Sequence, residues 1–112
     1  MSQVNTNGYD YYLRPEDNGK HVYKLWNSAV VLNSTRQYLP VGYAITIITS
    51  YNGSGVYCED NNDSLIISGT SGSYTYSATI PQYTMATLVK IAGAPGNSGL
   101  WMLAGAGITA GY

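Results

Sequence analysis

Gly42-Tyr43-Ala44-Ile45-Thr46-Ile47-Ile48-Thr49-Ser50-Tyr51 is the stretch that decides the fold class. Its centre, residues 44–49, is dense in β-branched side chains, which fit a pleated strand better than a helix. Tyr51-Asn52-Gly53-Ser54-Gly55 then supplies turn chemistry, so a strand of ordinary length is cut off cleanly.

Working outward, the same grammar repeats. Upstream, Glu16-Asp17-Asn18-Gly19-Lys20 is a turn, because Asn-Gly accepts the positive φ values that tight turns need. Residues 22–26 and 29–32 read as strands separated at Asn27-Ser28, and 33–39 is a loop that Pro40 ends. Downstream, 56–58 and 65–67 read as short strands around the acidic turn 59–63, and Gly69-Thr70-Ser71-Gly72 closes a hairpin. Residues 74–80 alternate strictly, with Tyr74, Tyr76, Ala78 and Ile80 on one face. Residues 84–92 place Met85, Thr87, Val89 and Ile91 on one face and Ala86, Leu88 and Lys90 on the other. The loop 93–99 leads to final strands at 100–103 and 108–110. No stretch has a helical period with a capping box, and no internal repeat of useful length is visible. Short strands spaced by turns predict an all-β domain, an antiparallel β-sandwich of jelly-roll type over residues 13–112. Residues 1–12 are expected to form a flexible N-terminal docking arm.

Composition narrows the function. The 112 residues are 45% apolar and only 10% charged, with formal net charge −1, twelve Tyr and no Phe. A typical domain carries about 25% charged residues. The balance gives no basic footprint for nucleic acid. The longest apolar tract, residues 100–110, is too short to cross a bilayer as a helix, so no membrane insertion is expected. One Cys and one His are too few for a disulfide framework or a zinc cage, and no metal or cofactor is expected. The charges are also unevenly placed. Asp10, Arg14, Glu16, Asp17, Lys20 and Lys24 crowd the start, and from Ser64 onward there is only Lys90. A charge-poor half rich in Tyr, Trp and Met has the composition of interface cores. It predicts an oligomer.

Catalytic readings find little support. His21 is the one imidazole, beside the Asn18-Gly19 turn, and nothing marks a nucleophile elbow. Cys58 has no second His to pair with. The carboxylates lie in turns without the apolar setting that raises a pKa. Glu59-Asp60-Asn61-Asn62-Asp63 lacks the alternating ligands and Gly of an EF-hand loop. The glycines of 93–99 match no phosphate-binding motif. Exposed Tyr is the remaining signal, because Tyr contacts partners at low entropic cost. Tyr51, Asn52 and Tyr83, near turns, are candidate ligand or host-surface contacts. A non-enzymatic protein is expected.

The order of features resembles a family. Leu13-Arg14-Pro15-Glu16-Asp17-Asn18-Gly19-Lys20-His21-Val22 is followed by Val30-Val31-Leu32 and by Leu39-Pro40-Val41-Gly42-Tyr43-Ala44-Ile45-Thr46-Ile47. Thr87-Leu88-Val89-Lys90-Ile91 and Trp101-Met102-Leu103-Ala104-Gly105 come later. This is similar to small β-domains at bacteriophage tail-fibre tips and in head-fibre and capsid decoration proteins. The resemblance covers residues 13–105 and rests on loose structural motifs. It implies a jelly-roll-like trimer on the virion surface, made in the host cytoplasm, with no catalytic residues. The opening Met1 and polar arm, without a fibre shaft, favour a capsid decoration or head-fibre protein over a tail-fibre tip. The expected partners are further copies of the chain, the major capsid protein or other virion proteins, and a host surface glycan for the tail-tip alternative. The candidate trimer face is Tyr74, Tyr76, Met85, Leu100, Trp101 and Met102.

Overall fold

The computed structural model describes residues 2–6, 8–51, 53–59, 62–70, 74–93 and 98–112. Their strands are β1 (Gln3–Asn5), β2 (Tyr11–Tyr12), β3 (His21–Lys24), β4 (Ala29–Leu32), β5 (Ala44–Thr49), β6 (Ser54–Cys58), β7 (Ser64–Ile67), β8 (Ser77–Ile80), β9 (Met85–Ala92), β10 (Leu100–Ala104) and β11 (Thr109–Ala110). A 3-10 turn occupies Pro15–Asp17, and no α-helix occurs among the described residues. One sheet has the order β1-β3-β5-β9-β10-β7, the other β11-β8-β6-β4-β2.

The strands expected from the sequence form, but their partners differ from an antiparallel jelly roll. From β1 to β8 the chain changes sheet at every step, so odd strands build one sheet and even strands the other. The early crossovers return the chain running the same way as the strand it left, whereas β8 returns antiparallel to β6. Accordingly β1, β3 and β5 are mutually parallel, as are β2, β4 and β6. Only β9 and β10 follow one another in sequence and also pair, antiparallel, and β9 joins them to β5. The sheets are therefore mixed. Turn residues mark where a strand stops, but not whether the chain folds back beside it or crosses to the opposite sheet.

Two further expectations change. Residues 1–12 do not form a free arm. Their described part supplies β1, which pairs with β3, and β2, which pairs with β4, so each sheet gains an edge strand. Tyr74 and Tyr76 do not share the buried face of Ala78 and Ile80. Thr75 bridges Leu65 in the first sheet, while Ser77 already pairs with Tyr57 in the second. The change of sheet at Tyr76 resets the alternation, leaving both tyrosines exposed.

The core lies between the sheets. Val22, Ile45, Ile47, Leu65, Leu88, Trp101 and Leu103 come from the first sheet, and Val30, Leu32, Val56, Cys58, Ala78 and Ile80 from the second. Tyr43 and Trp101 meet edge to face, with centroids 5.7 Å apart, and the Tyr43 hydroxyl donates to the Arg14 carbonyl at 2.6 Å. Charge is buried too. Asp63 accepts the Ser34 N–H at 2.9 Å, the Gly99 N–H at 3.0 Å and the Trp101 indole N–H at 3.0 Å. Lys90 Nζ donates to the Leu39 carbonyl at 2.7 Å. Burial lowers the Lys90 pKa, and the Asp63 charge opposes that shift. Lys24, also buried, donates to the Tyr9 carbonyl at 3.0 Å and to the Ser28 hydroxyl.

Asp63→Ala leaves three buried N–H donors without their acceptor and Lys90 without its nearby opposite charge. The expected loss is about 3 kcal/mol or more of unfolding free energy, read as a lower urea midpoint.

Candidate functional site

The outward face of the first sheet is built by strand alternation. On β9, Ala86, Leu88 and Lys90 are buried, which turns Met85, Thr87, Val89 and Ile91 outward. The register aligns Ala44 of β5, Val89 of β9, Met102 of β10 and Ile66 of β7 in one apolar row across four strands. Ile48 sits beside Met85, and Thr46 beside Thr87 and hence Ala104. Met85 is 68% exposed. These positions carry no charge. Lys90, the sole charged residue after Asp63, is fully buried, so no exposed charged side chain is contributed from Ser64 onward. The surface is thus poorer in charge than the composition alone suggested. Contiguous apolar surface of this kind is uncommon on soluble monomers and marks interaction sites.

Of the candidate trimer-face residues, Met85, Leu100 and Met102 lie on this face. Tyr74 is exposed beside Leu100 and Ala92 at its margin, and Tyr76 is exposed at the crossing between sheets. Trp101 is corrected: it is fully buried, with its indole on Asp63. Leu100, Trp101 and Met102 are consecutive in one strand, so the middle side chain must point the opposite way from its neighbours.

A second surface lies at the end of the sandwich where β1, β3 and β5 finish. Trp26 follows β3 and Tyr51 follows β5, and their rings meet at 5.7 Å with planes tilted by 55°. Ser54 Oγ donates to the Trp26 carbonyl at 2.8 Å and to the Tyr51 carbonyl at 3.2 Å, tying the two turns together. Gly8 lies against the indole so closely that a Cβ there would collide with the ring. The Tyr83 turn is fastened alongside: Tyr83 N–H donates to the Thr49 carbonyl at 3.0 Å, and Gln82 Nε2 to the Ser50 carbonyl at 3.2 Å. The structure therefore brings the Tyr51 and Tyr83 turns to one end. Asn52 lies outside the described residues. Sequence reading missed Trp26, having placed it in a strand. Its one available signal was an indole directly before the Asn27-Ser28 turn.

The remaining candidates are held in structural roles. Asp63 of the acidic turn points inward with both carboxylate oxygens engaged, and Asp60 and Asn61 lie outside the described residues. No metal-holding group of three or more His, Cys, Asp or Glu side chains occurs among the described residues. His21 Nε2 is 3.0 Å from Gln3 Oε1. Burial, with a smaller effect of Asp63, pushes the Cys58 thiol up to about 12, so it is not a thiolate at neutral pH. The chain matches no protein-family model, no curated protein and no solved structure. Its role has to be read from its own residues.

Because the folded Cys58 pKa lies above its ordinary 9.0, the stability contributed by the buried neutral thiol is complete below that pH and is lost as pH rises toward 12. Between about pH 8 and about pH 10.5, the native chain should lose about 2 kcal/mol more unfolding free energy than Cys58→Ala, measured by urea denaturation at both pH values.

Proposed function

We propose that the chain is a non-enzymatic structural protein of a bacteriophage particle, a homotrimer displayed on the capsid as a decoration or head-fibre protein. The observation that carries the assembly reading is the uncharged Ala44–Val89–Met102–Ile66 row on the outer face of the first sheet, which Lys20 and His21 border only on the Ala44 and Thr46 side. A row without charge has nothing to complement a charged partner. It complements a second neutral face, and further copies of the chain supply one. Burying about 800 Å² per partner, the usual scale of a stable interface, releases water from the apolar side chains at about 25 cal/mol per Å². Three copies around an axis close their head-to-tail contacts and leave no sticky edge. Capsid reinforcement follows when such a trimer bridges neighbouring shell subunits and buries apolar area at their junction. The virion assignment itself is supported by the resemblance of residues 13–105. The tail-fibre-tip alternative shares the trimer and differs in what the free surface meets.

Light scattering on a sizing column should give three times the 12.1 kDa chain mass. Val89→Lys and Met102→Glu, both on the apolar face, should give monomers with an unchanged circular dichroism spectrum. A wild-type monomer at high concentration overturns the trimer. Mass spectrometry of particles purified from the source should find the chain in a fixed ratio to the shell protein, and its absence from particles overturns the virion reading.

A further inference from the structure

Trp26 and Tyr83 are the only non-glycine residues with positive φ among the described residues, at 62° and 55°. Bulky side chains avoid this region, at a cost of about 1–2 kcal/mol each. Glycine would turn the chain there without strain. Instead both positions hold large aromatics, and both are exposed, Trp26 by 55% and Tyr83 by 79%. An exposed indole also forgoes the burial that makes Trp stabilising. Two separate costs are therefore met at one end of the molecule, and neither serves the core.

Trp26 is held by contacts on several sides. Its indole abuts the Gly8 backbone and meets the Tyr51 ring while staying 55% exposed, and the one Ser54 hydroxyl is shared between the Trp26 and Tyr51 carbonyls. Asn27, exposed, follows Trp26 in the chain and lies near Gly53, and its backbone carbonyl accepts from the Tyr112 hydroxyl at 3.0 Å. Lys24, two residues before Trp26, is turned inward: its Nζ donates to the carbonyls of Tyr9 and Leu25 and to Ser28. Asp10 Oδ1 accepts the Ala29 N–H at 2.8 Å.

We propose that this end is a binding site for neutral saccharides, with Trp26 as the stacking platform, Tyr51 as its extension, and Asn27 and the Tyr83 turn as polar margins. A pyranose ring has a C–H face that packs on an indole and equatorial hydroxyls that need amide and phenol partners at the edge. The surface supplies both. Trp26 and Tyr51 are already in contact at 5.7 Å, so no cage remains between them for a quaternary ammonium group. The preformed geometry limits the ordering cost that weakens ligand binding to mobile loops. This inference does not depend on the trimer, although three such ends would raise avidity.

The test is an array of neutral hexose and N-acetylhexosamine oligosaccharides probed with the full chain, followed by fluorescence titration with the best-retained sugar. The chain has two Trp and Trp101 is fully buried, so a ligand-dependent change in emission reports Trp26. Wild type should bind saturably. Trp26→Gly removes the ring and suits a φ of 62°, so its unfolding midpoint should be kept while array retention falls at least tenfold. Tyr51→Ala should weaken binding at least tenfold, read by titration. The proposal is overturned by an array with no sugar retained above background. It is equally overturned by sugar binding that survives both substitutions, or by an emission change with tetramethylammonium or a protein partner but none with a sugar.

Discussion

The carboxylate of Asp63 is the constraint on which the arrangement of the first sheet depends. It sits at the start of β7 and receives N–H groups from the loop before β5 and from two residues around the start of β10. Lys90, from β9, is anchored to the Leu39 carbonyl close by. One buried acid and one buried base thus pin the β9–β10 hairpin into the gap between β5 and β7. Desolvation makes each charge costly alone. Three donors on the acid and a carbonyl on the base offset that cost. Gly99 is part of the same arrangement, since a Cβ there would fall 2.9 Å from Asp63 Oδ1 and collide with the Lys90 side chain.

Among the described residues four charged side chains are buried beside the apolar core, while several large apolar side chains are exposed. Asp17, Lys24, Asp63 and Lys90 are buried, while Met85, Ile91 and Met102 face outward. Strand parity places both lysines: Lys24 on β3 and Lys90 on β9 occupy inward positions, and the outward positions of β9 are Met85, Thr87, Val89 and Ile91. On β9 the buried lysine and the apolar outward positions are two consequences of one alternation. The aromatic end follows from topology instead. Because β1, β3 and β5 are parallel, the segments that follow them, carrying Gly8, Trp26 and Tyr51, emerge together at one end of the sandwich.

The sequence by itself determined that this chain is built of short strands, because β-branched runs such as Ala44–Thr49 have no competing helical period and turn residues bound them. It determined the two faces of β9, because alternation is local. It also determined that the second half is starved of charge. Tertiary structure alone decided which strands pair. A connection that contains the same Asn-Ser pair folds the chain back beside its neighbour between β9 and β10 and sends it to the opposite sheet between β3 and β4. It decided that Tyr76 marks a change of sheet rather than a continuing strand, and so turned Tyr74 and Tyr76 outward. It placed Trp101 inside, where Asp63, 38 residues away in sequence, accepts its indole N–H. It brought Trp26 to Tyr51 by pairing β3 with β5. Strand existence is written in neighbouring residues, whereas pairing and burial depend on partners far along the chain, which no local pattern encodes.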